Sequence, residues 1–301
     1  MPDLADLFPG FESHWISGPA GKIFARSAGS GPPLVLLHGF PQTHVMWHRV
    51  APGLARAFQV ICPDLRGYGW STAPQPAADH STYSKRAMGE DVVAVLDHFG
   101  LVRAAMAGHD RGGRVAYRLA LDHPGRVTRL AVLDILPTAA MWRLIERPGS
   151  GVAPHWRWLA EPAPGPEGRI AARPGLLVDE LMASWTASGD LESFDGRALQ
   201  HYRTFQQDPT RVRAMCEDYR AGATLDRQAD EADLAAGRTI DCPVLALWGR
   251  SGIPAASPDP LGEWRPLAPE LEGRAVEGGH FLPEENPLGT LAALEGFFRA
   301  A

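Results

Sequence analysis

Short apolar runs, separated by polar segments, dominate the first half of the chain and return near its end. Continuous runs of this kind predict strands that are buried on both faces, at 34–37, 59–62, 104–107, 130–135 and 244–249. Two further segments have weaker strand character, at 22–26 and 274–276. The pattern therefore predicts a largely buried sheet.

Apolar residues recur at helical intervals between most of these strands. In the clearest case, 83–99, they repeat every three to four residues, and Gly100 follows as a residue that commonly ends a helix. Three other helices are predicted, at 46–58, 115–121 and 287–299. The alternation of strand and helix predicts an α/β protein with a mostly parallel sheet and helices on both faces.

The pattern changes in the middle of the chain. Over 138–227 there is no strong buried strand, and prolines between 148 and 174 break the segment into pieces. Helical patches remain within it, at 176–187, 194–205 and 211–220. We predict that 138–227 forms a helical cap domain, inserted into a core domain that consists of 1–137 and 228–301.

The composition is that of an ordinary globular protein, with 301 residues of which 45% are hydrophobic and 21% charged. The net charge of −6 provides no general basic face, so nucleic acid is not an expected partner. No run approaches the roughly 20 apolar residues of a membrane span, and the N-terminus lacks the pattern of a signal peptide. Three scattered cysteines indicate neither a disulfide framework nor a metal site. We expect a cytoplasmic protein without metal, other cofactor or membrane partner.

A tight turn is predicted between the strand at 104–107 and the helix at 115–121. Gly108 and Gly112 flank Asp110 at the spacing Gly-x-nucleophile-x-Gly, in which small residues let strand and helix approach each other. An Asp at the apex is an anion at neutral pH, because its ordinary pKa is about 4. It can attack a saturated carbon that carries a leaving group, as in halides and epoxides. The simpler interpretation is an Asp that caps the following helix.

Turnover of an ester on Asp110 requires a base that activates water. His280 is the candidate, because it lies in a loop between the last predicted strand and the final helix, and such loops meet at the carboxyl edge of a parallel sheet. The base needs an acid that orients it. Asp134 ends an apolar run, where an unpaired charge is costly, and we prefer it to Asp259. A structural loop His and a turn or capping Asp are the simpler interpretations.

Together these features resemble the α/β-hydrolase superfamily over nearly the whole chain. The resemblance is carried by the turn at Asp110, the His-Gly-Phe-Pro sequence at 38–41, the helical insertion, and the order of Asp110, Asp134 and His280. It implies the α/β-hydrolase fold, with a mostly parallel sheet flanked by helices and an inserted helical cap.

Within this superfamily the sequence is most similar to the fluoroacetate, or haloacetate, dehalogenases. Their Asp-Arg-x-x-Arg motif is matched at 110–114, their His-Trp pair in the cap by His155-Trp156, and their cap Tyr by Tyr219. Their acid also follows the strand after the turn, as Asp134 does. The resemblance implies a hydrolase that cleaves carbon–halide bonds of small anionic 2-haloacids, and often a homodimer.

Arg111 and Arg114 support this choice. Two guanidinium groups beside Asp110 can bind a substrate carboxylate in bidentate fashion and offset its repulsion by the anionic nucleophile. Haloalkane dehalogenases and epoxide hydrolases typically carry an aromatic residue directly after the nucleophile, whereas this chain has Arg111. The simpler interpretation is that both arginines form ion pairs with nearby acids.

The cap supplies candidate donors for the leaving halide. An imidazole, an indole N–H and a phenol O–H are available from His155, Trp156 and Tyr219. Packing within the cap is the simpler interpretation of each, and it is what we expect of three other tryptophans, Trp142, Trp158 and Trp185.

The resulting hypothesis has two steps. Asp110 displaces halide from the α-carbon, and His280, oriented by Asp134, activates the water that hydrolyses the ester. The backbone N–H groups of Phe40 and Arg111 are expected to hold the oxyanion. An epoxide hydrolase with the same nucleophile is the alternative activity, and a catalytically silent protein that binds a small acid is the alternative from another class. The halide preference is left open.

Overall fold

The computed structural model describes residues 4–300, and its centre is an eight-stranded sheet. The spatial order is β1-β2-β4-β3-β5-β6-β7-β8. The strands are β1 (Glu12–Gly18), β2 (Gly21–Ala28), β3 (Pro33–Leu37), β4 (Gln59–Pro63), β5 (Ala104–His109), β6 (Val127–Leu133), β7 (Val244–Gly249) and β8 (Leu271–Val276). Pairing is antiparallel from β1 through β2 to β4 and parallel across the rest. The predicted α/β class with a mostly parallel sheet is confirmed.

Strand β1 is the one strand of the described sheet that no sequence pattern predicted. It is an edge strand that pairs only with β2, and most of its side chains are exposed or half-buried, with Ile16 buried. One face of β1 is exposed and the other is only partly buried, around Ile16, so this edge strand does not need the apolar run that marks a central strand.

Helices cover both faces of the sheet. Those outside the middle segment are α1 (Ala51–Leu54), α2 (Lys85–His98), α3 (Asp110–Asp122), α11 (Pro260–Trp264), α12 (Leu282–Glu285) and α13 (Pro287–Arg299). The prediction of one helix over 46–58 is wrong: a 3-10 turn at His44–Trp47 precedes the four-residue α1. Pro52 has no N–H to donate and its ring would crowd a preceding helical turn, so it is accommodated in the first turn of a new helix, α1, and not in the interior of a longer one.

The segment between β6 and β7 is helical. Its helices are α4 (Thr138–Glu146), α5 (His155–Leu159), α6 (Gly165–Ala172), α7 (Leu176–Trp185), α8 (Gly196–Phe205), α9 (Pro209–Ala223) and α10 (Leu225–Ala235). The three predicted patches correspond to α7, α8 and α9. The predicted boundary at 227 falls inside α10, so the helical segment extends further than the sequence indicated. The division into two domains stays a prediction.

Alternate residues of the central strands face two different apolar clusters. In β3, Val35 packs in one cluster and Leu36 in the other, and in β5 the same is true of Met106 and Ala107. Successive side chains of a strand point to opposite faces, so a strand that is buried on both faces reads as a continuous apolar run. The sheet is therefore packed on both faces. Because β3 to β8 are parallel, their carboxyl ends lie at the same edge.

No helix within residues 4–300 is long and apolar enough to cross a membrane. The three cysteines are free and buried. In the described range, no group of three or more His, Cys, Asp or Glu side chains has an arrangement that could hold a metal ion.

Candidate active site

Asp110 lies at the tight turn that joins β5 to α3. Its φ is 45°, in the left-handed region that non-glycine residues rarely adopt. The turn is compact enough that a Cβ on Gly108 would lie 2.5 Å from the carbonyl oxygen of Gly112. Asp110 is the first residue of α3 and not its cap, which is His109. Its buried carboxylate accepts a hydrogen bond from Phe40 N at 2.9 Å.

His280 connects Asp110 with Asp134. The Nε2 atom of His280 is 3.9 Å from Oδ2 of Asp110, and its Nδ1 is 2.6 Å from Oδ2 of Asp134. Asp134 follows β6 directly and also accepts from the backbone N–H groups of Gly249, at 3.0 Å, and Ile253, at 3.1 Å. These bonds fix the carboxylate, so the imidazole is held from one side and its second nitrogen faces Asp110.

The other candidate acid has a different role. Asp259 caps α11, where its Oδ1 accepts from Gly262 N at 2.9 Å. The structure therefore brings together Asp110, Asp134 and His280, in the arrangement that the sequence analysis preferred.

Electrostatic interactions within this trio oppose the effect of burial. Burial alone raises the pKa of Asp110, but the charges of His280, Arg111 and Arg114 hold it below its ordinary value. Burial alone lowers the pKa of His280, but the hydrogen bond from His280 to Asp134 and the charges of Asp134 and Asp110 raise it above its ordinary value. Asp110 is therefore an anion near neutral pH, as a carboxylate nucleophile must be.

Arg111 is bound to an acid that the sequence analysis did not identify. Its Nε and Nη2 donate to Asp218 at 3.0 and 2.6 Å, and Asp218 also accepts from Lys85 and from the hydroxyl of Tyr68. The ion-pair interpretation thus holds for Arg111. Its Nη1 remains buried and has no hydrogen-bond partner among residues 4–300, and the guanidinium carbon lies 4.3 Å from the ring centre of Tyr219.

Arg114 is held by neutral groups instead. Its Nη1 donates to the carbonyl of Leu136 at 2.9 Å and to the hydroxyl of Thr138 at 3.1 Å. The Thr138 hydroxyl in turn lies 2.7 Å from the hydroxyl of Tyr117, which donates to Asp230. Within the described chain, Nε of Arg114 is buried without a partner and no ion pair involves this residue. Arg114 is therefore a buried cation without a carboxylate in contact.

The three predicted halide donors converge on the same place. The rings of His155 and Trp156 lie 5.7 and 5.9 Å from that of Tyr219, and the guanidinium carbon of Arg114 lies 4.4 Å from the ring of Trp156. Burial lowers the pKa of His155 to about 3, so its ring is neutral. Burial also raises the pKa of Tyr219 well above its ordinary value, so its hydroxyl keeps the proton.

Five buried polar atoms on Arg111, Arg114 and the three predicted halide donors share one property. In the part of the chain that the structure describes, each has no hydrogen-bond partner. They are Arg111 Nη1, Arg114 Nε, His155 Nδ1, Trp156 Nε1 and Tyr219 OH. Buried polar groups are almost always hydrogen-bonded, so five such atoms on side chains that neighbour one another are typical of a ligand site. Three of the five atoms can only donate, and the Tyr219 hydroxyl can donate as well, so the ligand is expected to be an acceptor. The two guanidinium groups favour an anion.

Two residues near the site were missed in the sequence. We expected Trp185 to serve cap packing, and it does pack, but against site residues: its ring lies 4.3 Å from that of His155 and 5.6 Å from that of His280. The position of Trp185 in the sequence gives no sign that its role differs from that of the other cap tryptophans. Asp218 directly precedes Tyr219, and that proximity was the available signal for an acid beside Arg111.

The two predicted oxyanion donors differ. Phe40 N already contacts the Asp110 carboxylate, as described above. Over residues 4–300, no hydrogen bond joins the backbone N–H of Arg111 to that carboxylate, and its contribution stays a prediction.

Comparison with known proteins gives a consistent result. A protein-family model described as alpha/beta hydrolase fold matches residues 32–287. A fluoroacetate dehalogenase from Burkholderia sp is 41% identical over 98% of this chain and 96% of that protein. A soluble epoxide hydrolase from Corynebacterium sp. (strain C12) is 32% identical over 97% and 95%, respectively. The crystal structure of ALR0039 from Nostoc sp PCC 7120, provisionally assigned to the alpha/beta hydrolases, matches with a TM-score of 0.92 at 43% identity, over 97% of this chain and 99% of that one.

Proposed function

The chain belongs to the alpha/beta hydrolase family, and we propose that within it the protein is a haloacetate dehalogenase. It hydrolyses the carbon–halogen bond of haloacetates such as fluoroacetate and gives glycolate and halide. The observation that carries this proposal is the group of five buried polar atoms, on Arg111, Arg114, His155, Trp156 and Tyr219, that have no hydrogen-bond partner among residues 4–300. The full-length similarity to a fluoroacetate dehalogenase supports the same activity.

In the first step the substrate carboxylate binds Arg111 and Arg114. Their free nitrogens give it a fixed orientation, and their charge offsets the repulsion between two anions. An oxygen of Asp110 attacks the α-carbon, the carbon–halogen bond breaks, and its electron pair leaves with the halide. Donors on His155, Trp156 and Tyr219 stabilise the departing halide, which matters most for fluoride because it is a strong acceptor and a poor leaving group.

In the second step His280 takes a proton from water, and the water oxygen attacks the carbonyl carbon of the Asp110 ester. Asp134 stabilises the resulting imidazolium. Phe40 N, already bonded to the carboxylate, holds the oxyanion, and Arg111 N is the proposed second donor. Collapse breaks the bond to the glycolate oxygen, which takes the proton from His280. The carboxylic acid left on Asp110 then loses the second water proton to solvent. The Asp110 carboxylate then contains one oxygen from solvent.

The proposal extends to organisation and location. We propose that residues 138–227 act as a cap domain, that the active protein is a homodimer, and that it is cytoplasmic. The resemblance to haloacetate dehalogenases supports the first two, and the free buried cysteines fit a reducing compartment. Light scattering after size-exclusion chromatography measures the mass of the assembly in solution.

An epoxide hydrolase is the second candidate. The hydroxyl of Tyr219, which has no partner in the described part of the chain, favours it, because a phenol can protonate an opening epoxide. The Corynebacterium relative is an epoxide hydrolase. A neutral epoxide makes no use of the two buried guanidinium groups, so we place this activity second.

One assay separates the candidates. A fluoride electrode follows fluoroacetate, chloride release follows chloroacetate, and diol formation follows styrene oxide. We expect halide release and little diol. Diol formation without halide release supports the epoxide hydrolase, and binding of haloacetate without turnover identifies a silent binding protein. In the His280→Asn variant, incubation with fluoroacetate should leave a carboxymethyl group on Asp110, detected as a mass increase of the intact protein.

A further inference from the structure

The loop that carries His280 is held by its backbone against the helical segment between β6 and β7. The backbone N–H of His280 donates to the carbonyl of Trp185 at 2.8 Å. Its own carbonyl accepts from Nε2 of His109 at 2.8 Å. The main chain of His280 is therefore hydrogen-bonded to Trp185, which lies outside the sheet, and to His109, the last residue of β5, which directly precedes Asp110.

Glu285, the last residue of α12, binds both residues that flank the base. Its Oε1 accepts from Phe281 N at 2.8 Å, and its Oε2 accepts from Gly279 N, also at 2.8 Å. The same Oε2 accepts from Ala187 N at 2.8 Å. One carboxylate thus satisfies three backbone donors, two from the His280 loop and one from the segment that follows α7.

The two backbones are also in direct contact. A Cβ on Gly279 would lie 2.5 Å from both Ala187 N and Trp185 O, so no other residue fits at this position without a shift. The separation of loop and segment is therefore set by van der Waals contact, and Glu285 holds them together at that separation. A change in either backbone is transmitted to His280, because both of its neighbours are bound to the same side chain.

We propose that Glu285 is a positioning residue that fixes the imidazole of His280 for hydrolysis of the Asp110 ester and couples it to the segment 185–187. This inference rests on the proposed function. Alkylation of Asp110 involves no proton transfer and does not need the base, whereas ester hydrolysis depends on the placement of Nε2 beside Asp110. Glu285 therefore acts on the second step and leaves the first unchanged.

The test separates the two steps in the variant Glu285→Gln. Glutamine keeps the length of the side chain but offers one acceptor oxygen, so at least one of the three N–H groups loses its partner. With chloroacetate in a rapid-quench experiment, chloride release reports alkylation and glycolate release reports hydrolysis. We expect hydrolysis to slow roughly 10- to 100-fold and chloride release in the first turnover to stay near the wild-type rate. The carboxymethylated enzyme then accumulates at steady state and is detected by intact-protein mass.

The matched control is Glu277→Gln, which removes an exposed carboxylate of the same loop whose partner is Arg250. It should change neither step. The amplitude of the first-turnover chloride burst counts the folded active sites. If the Gln variant does not fold, Glu285→Asp replaces it, since this variant keeps the charge but shortens the side chain. The Asp variant should also accumulate the ester. Equal slowing of both steps, or no change in either, overturns the inference. Absence of halide release from the wild-type enzyme instead refutes the proposed function.

Discussion

Asp218 and Arg111 form a buried ion pair through two hydrogen bonds, of 3.0 and 2.6 Å. The charge of Arg111 is therefore matched inside the protein before any substrate binds. Arg114 has no such acid in the described part of the chain, and its contacts are to neutral oxygens. In the proposed substrate complex, Arg114 supplies the uncompensated charge for an incoming carboxylate, while Arg111 supplies a fixed donor.

The first prediction concerns this uncompensated charge. Arg114→Gln should lower kcat/KM for chloroacetate about 10- to 100-fold, the effect of losing one or more charge-assisted hydrogen bonds of ~1.5–3 kcal/mol. Neutral chloroacetamide should be affected much less, because it places no anion beside the residue. The ratio of the two kcat/KM values is the measurement. An equal loss for both substrates would mean that Arg114 acts on the packing of the site and not on substrate charge.

The second prediction concerns the stability of the Asp218 network. Asp218→Asn removes the counter-ion shared by Lys85 and Arg111. Lys85 keeps Asp226 at 3.4 Å, so the charge left unpaired is that of Arg111. Breaking a buried pair on one side typically costs about 3–5 kcal/mol, and we expect a decrease of that order in the free energy of unfolding measured with urea. The exposed pair of Arg250 and Glu277 is the control, and Glu277→Gln should have little effect. Similar decreases in both variants would contradict the prediction.

The third prediction concerns the halide donors. Trp156→Phe keeps the aromatic surface beside the guanidinium groups but removes the indole N–H. Fluoride accepts hydrogen bonds more strongly than chloride, so the rate with fluoroacetate should fall by several-fold more than the rate with chloroacetate. The measured quantity is the ratio of first-turnover halide release for the two substrates. An unchanged ratio argues that Trp156 contributes packing alone.

The fourth prediction is a pH dependence. His280 must be neutral to accept a proton, so ester hydrolysis is lost as the pH falls through its pKa. In the free enzyme the negative charges of Asp134 and Asp110 raise that pKa above 6.5. In the ester Asp110 is uncharged, and one of these charges is gone.

The acid limb of ester hydrolysis should therefore lie at lower pH than the pKa of His280 in the free enzyme. Single-turnover glycolate release gives the first quantity and NMR titration of the imidazole gives the second. Coincidence of the two values would show that the Asp110 charge has no measurable effect on the base.

The fifth prediction concerns Glu284, which is buried and receives hydrogen bonds from Gln42 and from Tyr202 in α8. Burial raises its pKa from 4.5 to about 8. The folded state then holds this proton more tightly than the unfolded chain, so stability is greatest below the unfolded pKa and falls as the pH rises from about 4.5 to about 8.

Glu284→Gln removes this titration and keeps the size of the side chain. The variant should have nearly wild-type stability at about pH 5 and exceed it at about pH 8. Thermal unfolding across this range is the measurement. Parallel curves for variant and wild type would mean that Glu284 is not protonated in the folded state.

The central strands could be predicted because burial on both faces leaves a continuous apolar run, as in β3 and β5. Strand β1 left no comparable pattern, since an exposed edge needs few apolar residues. Helices α5 and α6 are short, and prolines lie at or next to their first turns. Helix α4 contains no proline, but nearly all of its residues are buried, so it lacks the alternation of apolar and polar positions that marks an amphipathic helix. The extension of the helical segment to the end of α10 was missed for a related reason: α10 is polar, with acids at buried positions.

Within the site, Asp110, Asp134 and His280 were identified because their chemistry ties each to a strand end or loop that the sequence also predicts. The bond between Arg111 and Asp218 spans 107 positions along the chain and depends on how α9 packs, which no local pattern reports. Trp185 contacts His280 through its backbone carbonyl, and Glu285 binds backbone N–H groups through its carboxylate; neither contact has a sequence signature.

Both guanidinium groups on α3 are supported from the segment between β6 and β7. Asp218 on α9 binds Arg111, and Thr138 on α4, linked through Tyr117 to Asp230 on α10, binds Arg114. Chimeras that exchange this segment between homologous enzymes should therefore take α3 and the segment from the same parent. A chimera that takes them from different parents would lose the hydrogen bonds that hold Arg111 and Arg114 in place at the proposed anion site.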